Sequence, residues 1–396
     1  MKNEHTCILT TTINIPYFLN DILRNVKKFK HKNTYVVVIA DKKTPLKAKT
    51  YCKSISKKFN IRIDYLDIEF QKNYFRNDKS LLKLFPFNDA LRRLLGSVYL
   101  LRQNPVPERL IFVDDDNFIF NNVDFIKKHS IVGKFVNTNV VKNKINFPNI
   151  YRYLTTDEKL PLFPRGFPWS KRHKQSFFFN SKAKQKGKVL ANCGYIIGDP
   201  DIDAVSRLFW KIDIKKIATN ENFFIGKNNY FPFNDQNTAI SKDLFKIYFK
   251  PISAGRNSDI WTSYLICKLS HIHNDLVSYG QPHLKQIRNI HDNWKDYELE
   301  KQHNISTDLF IDIVENIKVK KQKEYFDTFY ELIKKCVHET NLKMKRLSNL
   351  KNTNSVRHYQ SINSFEIRKR NISNLKYIKN YFNGYVIWLD EMKKID

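Results

Sequence analysis

The sequence of 396 residues lacks several features that mark familiar classes of protein. Its five cysteines are odd in number and form no Cys-x-x-Cys pair, which argues against a disulfide framework and against a zinc site. It has no run of about 18 or more apolar residues, so no membrane-spanning helix is expected. Residues 1–19 lack the continuous apolar stretch of a signal peptide. We therefore expect a reduced, globular, cytoplasmic protein.

Acidic side chains are scarce, with 39 Asp and Glu against 69 Lys and Arg and a formal net charge of +30. Such an excess favours an anionic partner, whether nucleic acid, an acidic membrane surface or a phosphorylated substrate. Equally, many of the lysines are explained by a solvated surface in a chain rich in Lys and Asn. The sequence contains no zinc-finger pattern, no RNP-like aromatic motif and no especially dense basic cluster, so we expect no nucleic-acid partner.

Glycine is also rare, and only Gly384 follows Gly280. Residues 305–396 show helical spacing of apolar side chains and no loop typical of an active site. Chains longer than about 250–300 residues usually exceed one compact domain. We therefore predict a catalytic domain over residues 1–304 and a mostly helical region over residues 305–396. Residues 142–188 are rich in Lys, Asn, Pro and aromatic side chains and predict a long loop.

Strand and helix patterns alternate along the first part of the chain. A short apolar and Thr-rich run at residues 7–12 predicts a first strand. The runs at residues 34–40 and 109–113 predict buried strands, the former typical of a parallel sheet, and residues 48–59 have helical spacing. This order predicts a doubly wound α/β domain. Ligands of such sheets bind at the carboxyl ends of the strands.

An acidic triplet ends the predicted strand at residues 109–113. The sequence IFVDDDNF (111–118) places three carboxylates where they would repel one another without a cation. Asp-x-Asp at a strand end suits a hard divalent ion that keeps open positions for phosphate oxygens. An acidic turn or a helix cap is the plainer explanation of such a run.

Further short blocks surround this triplet in a fixed order, over roughly residues 5–300. They are VVVIADKKTP (36–45), FNDALRRLLGSVYLL (87–101), IFVDDDNF (111–118), FPRGFP (163–168), IIGDPDIDAVSRL (196–208), FNDQNTAISKDLF (233–245), GRNSDIW (255–261) and YGQPHLKQIRNIHDNWKDYE (279–298).

The ordered set resembles glycosyltransferases of the GT-A type, and within them the STELLO-like proteins. These are distant relatives of the plant reversibly glycosylated polypeptides, which include UDP-arabinopyranose mutases. The resemblance implies a GT-A-like, Rossmann-like nucleotide-sugar domain. Residues 305–396 lie outside it.

The resemblance also implies an activity. We expect a metal-dependent glycosyltransferase that moves a sugar from a nucleoside diphosphate, with UDP favoured, to a hydroxyl of a glycan or lipid-linked glycan, with inversion favoured. A nucleotide-sugar mutase is the first alternative, and a basic nucleic-acid-binding protein is the second. The charge adds an anionic membrane surface as a partner of a peripheral protein.

The expected donor site begins at the ends of the first two predicted strands. Thr10 and Thr11 are expected to contact the base or ribose, although hydrogen bonding at the strand end is equally compatible. Asp41 resembles the acid that contacts the base or ribose in this family. Lys43 is expected to meet phosphate.

Arginines are expected beside the diphosphate and the sugar. Either Arg92 or Arg93 resembles the family's diphosphate-facing arginine, and Arg93 is preferred, because a guanidinium suits phosphate. Arg165 is expected in a loop over the sugar. Asp201 is expected to hold sugar hydroxyls, and helix capping is the alternative role for it or a neighbouring Asp.

The metal is expected to be Mn²⁺ or Mg²⁺. Asp116 and Asp114 are the expected ligands, and Asp115 is expected to meet ribose or to cap. GT-A enzymes often complete the metal shell with a late His or Asp, and here His283 and His291 are the alternatives.

Asp259 precedes a predicted helix and is the expected catalytic base, which would take the proton of the acceptor hydroxyl. Capping of that helix is the alternative. Lys285 is expected to close over the phosphates.

Overall fold

The structure is a computed structural model, and it describes residues 4–141, 145–158, 160–173, 183–288, 292–349 and 358–395. Within these ranges the strands are β1 (Thr6–Thr12), β2 (Thr34–Ala40), β3 (Ile63–Leu66), β4 (Arg109–Val113), β5 (Asn117–Ile119), β6 (Phe135–Val140), β7 (Leu154–Thr155), β8 (Ala183–Gly198), β9 (Lys216–Ile217), β10 (Phe223–Ile225), β11 (Asn237–Ser241) and β12 (Leu276–Gln286).

The α-helices in the same ranges are α1 (Phe18–Lys28), α2 (Lys47–Phe59), α3 (Ile68–Tyr74), α4 (Lys79–Leu82), α5 (Leu95–Leu101), α6 (Phe125–His129), α7 (Trp169–Arg172), α8 (Ala204–Phe209), α9 (Ser258–His273), α10 (Asn293–Asn316), α11 (Tyr325–Asn349) and α12 (His358–Met392). Short 3₁₀ helices are Ala90–Leu94, Ile150–Tyr153, Lys242–Leu244 and Ile252–Asn257.

One large mixed sheet organises the molecule, with strand order β10-β12-β8-β11-β4-β1-β2-β3. The half made of β4, β1, β2 and β3 is parallel, and β11 runs antiparallel between β4 and β8. β5 and β6 add to β12 and β8, and β7 pairs with β9 in a separate small sheet. The α/β class with a helical C-terminal region is confirmed, in a Rossmann-like arrangement consistent with the expected GT-A-like domain.

Both faces of the parallel half are covered, which explains its continuous apolar strands. In β2, Val36 and Val38 join the core that α1 and α2 complete on one face. Val37 and Ile39 join the core on the other face, which includes α5 and the C-terminal helices. Successive strand side chains point to opposite faces, so every β2 position is buried.

The predicted long loop over residues 142–188 is corrected by the structure. β7 lies within it, and β8 begins at Ala183 and continues for 16 residues. The first part of β8 pairs antiparallel with β6, and both strands alternate between more and less exposed side chains. Lysines at the exposed positions interrupt the apolar pattern from which a strand would be predicted, because only one face of this extension needs apolar residues.

The C-terminal helices share one core with the α/β part. The Phe310 ring stacks on Trp261 of α9 with centroids 4.3 Å apart, and Trp388 stacks on Phe249 at 4.5 Å. The expected boundary between residues 304 and 305 falls inside α10. No helix in the described ranges combines the length and apolarity needed to cross a membrane.

Candidate functional site

A cleft of about 640 Å³ opens where the parallel strands end. It lies beyond β4, between the 3₁₀ helix Ala90–Leu94, the end of β12 and the start of α9. Its charged lining residues are Asp89, Arg93, Asp114, Asp116, Arg165, Asp201, Asp235, Lys250, Arg256, Asp259 and Arg288. Acids and bases nearly balance here, so the chain's large positive charge resides elsewhere.

A chain of alternating charges forms the floor beside β4. Arg93, whose side chain is 3% exposed, lies 2.5 Å from Asp114 Oδ1 and 2.7 Å from Asp235 Oδ2. Lys250 Nζ lies 2.7 Å from the same oxygen of Asp235. Desolvation raises the pKa of Asp114, although Arg93 opposes the shift. Burial acts the same way on Asp235, but Arg93 and Lys250 outweigh it and hold the pKa of that carboxyl well below its usual range.

The other two acids of the triplet point in different directions. Asp115 Oδ2 accepts a hydrogen bond from Thr12 Oγ1 at 2.7 Å, beside the end of β1. Asp116 Oδ2 accepts from Gln286 Nε2 at 2.9 Å in the cleft. Asp116 Oδ1 and Gln286 Oε1 are buried and have no hydrogen-bond partner among the described residues. The structure thus brings Asp114 and Asp116 together and turns Asp115 away.

A hard divalent ion fits this pair of carboxylates. Mg²⁺ and similar ions are commonly held by one or two carboxylates together with water and substrate phosphate oxygens. The buried, unpartnered Asp116 Oδ1 is an oxygen such an ion could take. In the described part of the chain, no group of three or more His, Cys, Asp or Glu side chains is placed to hold a metal. Within the described residues, the unpartnered Gln286 Oε1 is an amide oxygen beside Asp116 that could add to the two carboxylates.

The expected third ligand stands apart from this pair. His283 Nε2 lies 3.1 Å from Gln281 Nε2, and His283 does not line the cleft. Burial lowers the pKa of His283 to about 4. The alternative, His291, lies outside the described residues.

A second ionic cluster, centred on Arg165, also lines the cleft. Its Nε and Nη2 donate to both oxygens of Asp201 at 2.7 and 2.6 Å, and Nη2 also lies 3.1 Å from Asp259 Oδ2. Its Nη1 donates to Asn257 Oδ1 at 2.6 Å. Arg165 is 6% exposed, so it is a buried part of the wall rather than a side chain on an open covering loop.

The pKa values of the two acids in this cluster are shifted in opposite directions. Burial raises the pKa of each, but the bidentate contact with Arg165 reverses the effect at Asp201 and holds its pKa at about 2. At Asp259 the burial effect prevails and the pKa is raised, although Arg165 opposes it. Asp259 is therefore the carboxylate of the pair that can accept a proton nearer neutral pH.

Neither acid is the N-cap residue of a helix, and the N-cap residue of α9 makes no side-chain cap hydrogen bond. The residue before α9 is Asn257, and Asp259 lies in the first turn, where its Oδ1 accepts from the next backbone N–H at 3.0 Å. Asp203 caps α8 by accepting from Ser206 N at 2.9 Å. Asp201 is thus left free to pair with Arg165.

Three charged residues at this side of the cleft were missed from the sequence, namely Arg256, Asp296 and Glu300, whereas Arg288 was expected to close over the phosphates. Arg256 pairs with Asp296 and lies 3.4 Å from Glu300, both on α10. Arg288 lies 3.3 Å from Asp296 and 3.6 Å from Asp199. Burial raises the pKa of Glu300 to about 7. The four-residue spacing of the two α10 acids was the available signal, because it places both on one helix face.

The residues expected around the base and ribose lie outside the lining of this cleft. Thr10 and Thr11 donate to backbone carbonyls at 3.2 and 2.7 Å, which is hydrogen bonding at a strand end. Asp41 accepts from the backbone N–H groups of Lys42 and Asn88, both at 2.6 Å. Through Asn88, which does line the cleft, Asp41 holds the loop that leads to Arg93.

Three further basic side chains that the sequence offered for the phosphates lie outside the lining of the cleft. Arg92 turns inward to Gln71 Oε1 and the Phe85 carbonyl, at 2.9 and 2.6 Å, so Arg93 alone of the two lines the cleft. Lys43 and Lys285 are exposed and lie outside the lining.

Comparison with known proteins adds little to this geometry. No family model and no curated protein matches the chain. Among solved structures, the chain is similar to the mannosyltransferase PcManGT from Pyrobaculum calidifontis, in complex with GDP-Man and Mn2+. They share 6% identity at a TM-score of 0.38, over 96% of this chain and 86% of that one. So remote a likeness carries no argument about activity, and the resemblance to STELLO-like proteins stays a prediction.

Proposed function

We propose that the protein is a metal-dependent glycosyltransferase that transfers a sugar from a UDP-sugar to a hydroxyl of a glycan or glycolipid, with inversion. One observation carries the proposal. A single cleft at the carboxyl end of the parallel strands gathers Asp114, Asp116 and Arg93 together with the buried Asp259. A cation-binding pair and a carboxylate of raised pKa are the two elements that such a transfer needs.

The donor diphosphate would lie beside the triplet. Asp116 and Asp114 would hold Mn²⁺ or Mg²⁺, and a bound ion neutralises the charge that develops on the diphosphate as it leaves. Arg93 would add its fixed positive charge there, since Asp114 and Asp235 hold its guanidinium in place. A cation that is already oriented stabilises developing charge without reorganising during the reaction.

The acceptor hydroxyl would approach Asp259. Asp259 would take its proton as the oxygen attacks the sugar carbon. Burial raises the pKa of Asp259, which brings this base closer to the pH at which it must accept a proton. Asp201, kept ionised by Arg165, would accept a hydrogen bond from a sugar hydroxyl at Oδ1, since Oδ2 already accepts from Arg165 and Asn234.

The mouth of the cleft supports a glycolipid rather than a free glycan as acceptor. Ile252 and Leu299 line the opening and are 51% and 53% exposed, whereas the floor is charged. An acceptor with a polar head and an apolar tail would match this change in polarity, because the tail would cover the two exposed side chains.

Calorimetry with UDP and Mn²⁺ tests the donor site. Asp116→Ala should abolish metal-dependent UDP binding while the protein stays folded. Asp115→Ala is the matched control, because Asp115 contacts Thr12 instead of facing the cleft. The control should keep the metal requirement. Unchanged affinity and metal dependence in Asp116→Ala would refute the metal site.

Incubation with UDP-sugars, with and without acceptor, tests the reaction. Transfer to a glycolipid in the presence of Mn²⁺ supports the proposal. Interconversion of sugar ring forms without acceptor would identify a mutase instead. A thermal-shift screen of nucleoside diphosphates names the base, because a ligand that binds the folded state raises its apparent stability.

A further inference from the structure

A second cavity, of about 460 Å³, lies at the opposite edge of the sheet from the cleft. Its lining residues precede the parallel strands: His5 comes just before β1, Thr34 begins β2, and Arg62 comes just before β3. The strands rise about 3.3 Å per residue, so seven residues separate the two edges by roughly 20 Å. The cavity is therefore independent of the proposed catalytic site.

The charged side chains that line this second cavity are basic. Among the described residues that line it none is acidic, whereas Lys27, Lys30, Lys32 and Arg62 are basic. Arg62 is already paired with Asp64, at 2.5 Å. The three lysines form no ion pair or side-chain hydrogen bond with residues that the structure describes. Three unpaired ammonium groups around one concavity produce a local positive potential that attracts an anion.

Part of the wall behind these charges is apolar. Val26, Tyr35, Phe59 and Ile61 line the cavity, and the first three are buried. The Arg62 guanidinium lies 4.8 Å from the Tyr35 ring centroid and is fixed by its carboxylate partner. Apolar surface combined with a few charged groups is usual in sites for small ligands, and the volume of this cavity is of the same order.

A simpler explanation accounts for only part of the cluster. Lysines in the last turn of a helix stabilise its carbonyl end, and Lys27 lies in the last turn of α1. Lys30 and Lys32 follow the helix and connect it to β2, so the helix dipole does not account for them.

From this convergence we infer that the cavity is a second binding site, for a small ligand that carries phosphate groups. Lys30 and Lys32 bind the phosphates together with Lys27, and the body of the ligand rests on the apolar walls. A free phosphorylated molecule and the phosphate headgroup of a lipid share this chemistry.

Titration calorimetry with inorganic tripolyphosphate, in EDTA to suppress metal-dependent binding in the cleft, tests the site. The double variant Lys30→Ser/Lys32→Ser should bind at least about tenfold more weakly, the scale of losing charge-assisted hydrogen bonds. The double variant Lys53→Ser/Lys57→Ser is the matched control. It removes the same charge from the exposed surface of α2, outside the cavity, and should bind like the native protein.

Equal weakening in both double variants would overturn the site and indicate attraction by net charge alone. Absence of tripolyphosphate binding to the native protein would also overturn it, unless vesicles of phosphatidylcholine with phosphatidic acid bind in a Lys30- and Lys32-dependent way. That result would assign the site to a lipid headgroup. An oligonucleotide that binds through the same lysines far more tightly than tripolyphosphate would replace the proposal with a nucleic-acid surface.

Discussion

Replacing Arg165 by methionine should destabilise the protein by about 3–5 kcal/mol at neutral pH, the usual cost of removing one partner from a buried ion pair. The Arg165 side chain is 7% exposed, and its partners Asp201 and Asp259 are 10% and 7% exposed. Methionine fills much of the same volume, so the loss in unfolding free energy reflects the missing charge and not a new cavity. Without the guanidinium, two buried carboxylates face each other across the wall of the cleft.

The stability lost on replacing Arg165 should depend on pH. In the native protein Arg165 holds the pKa of Asp201 at about 2, against about 3.9 in an unfolded chain. The stability gained from this pair is fully present above the unfolded pKa and is lost as the pH falls through the folded one. In the variant, burial acts unopposed by Arg165 and raises the pKa of Asp201, so the variant loses stability as the pH rises above about 4. The gap between the two proteins should therefore widen from acidic to neutral pH.

Urea denaturation of both proteins at about pH 4.5 and about pH 7 measures this gap. Arg24→Met is the control, because Arg24 is 51% exposed and its contact with Asp21 is a surface ion pair. It should cost less than about 1 kcal/mol at either pH. A loss of stability below about 1 kcal/mol for Arg165→Met at neutral pH would refute the reasoning. So would a difference in stability between the two proteins that does not change with pH.

Other predictions concern catalysis, the C-terminal helices and the charge. Asp259→Asn should leave UDP binding intact and lower turnover by about 10²-fold or more, the scale of a lost general base; near-normal kcat with a lower melting temperature would make the residue structural only. Phe310→Ala should cost about 3–5 kcal/mol in denaturant unfolding, because the ring is buried against Trp261, and a loss under about 1 kcal/mol would contradict that packing. Truncation after residue 304 cuts α10 and should yield insoluble protein, so a soluble, active fragment would show that the tail is separable. Full-length protein should cosediment with anionic but not neutral liposomes at low salt, because each nearby Lys or Arg contributes about 1 kcal/mol; equal binding to both would exclude electrostatic attachment.

Local pattern determined the parallel half of the fold. The strands at residues 34–40 and 109–113 were predicted with the bounds that the structure gives, because burial on both faces leaves an uninterrupted apolar run. The same run placed the acidic triplet at the carboxyl edge of the sheet. The apolar stripes beyond residue 305 likewise predicted helices, since their spacing follows the helical repeat.

Tertiary structure alone decided which of these side chains meet. The Arg165–Asp259 contact joins residues 94 positions apart, and the Arg93–Asp235 hydrogen bond joins residues 142 apart. Nothing in the local sequence marks Asp235 as a partner of Arg93. A helical or strand period records only which face a residue shares with its near neighbours. The cleft is built from loops and helix starts whose meeting depends on how the sheet and its two covering layers pack, and that packing is a property of the whole chain.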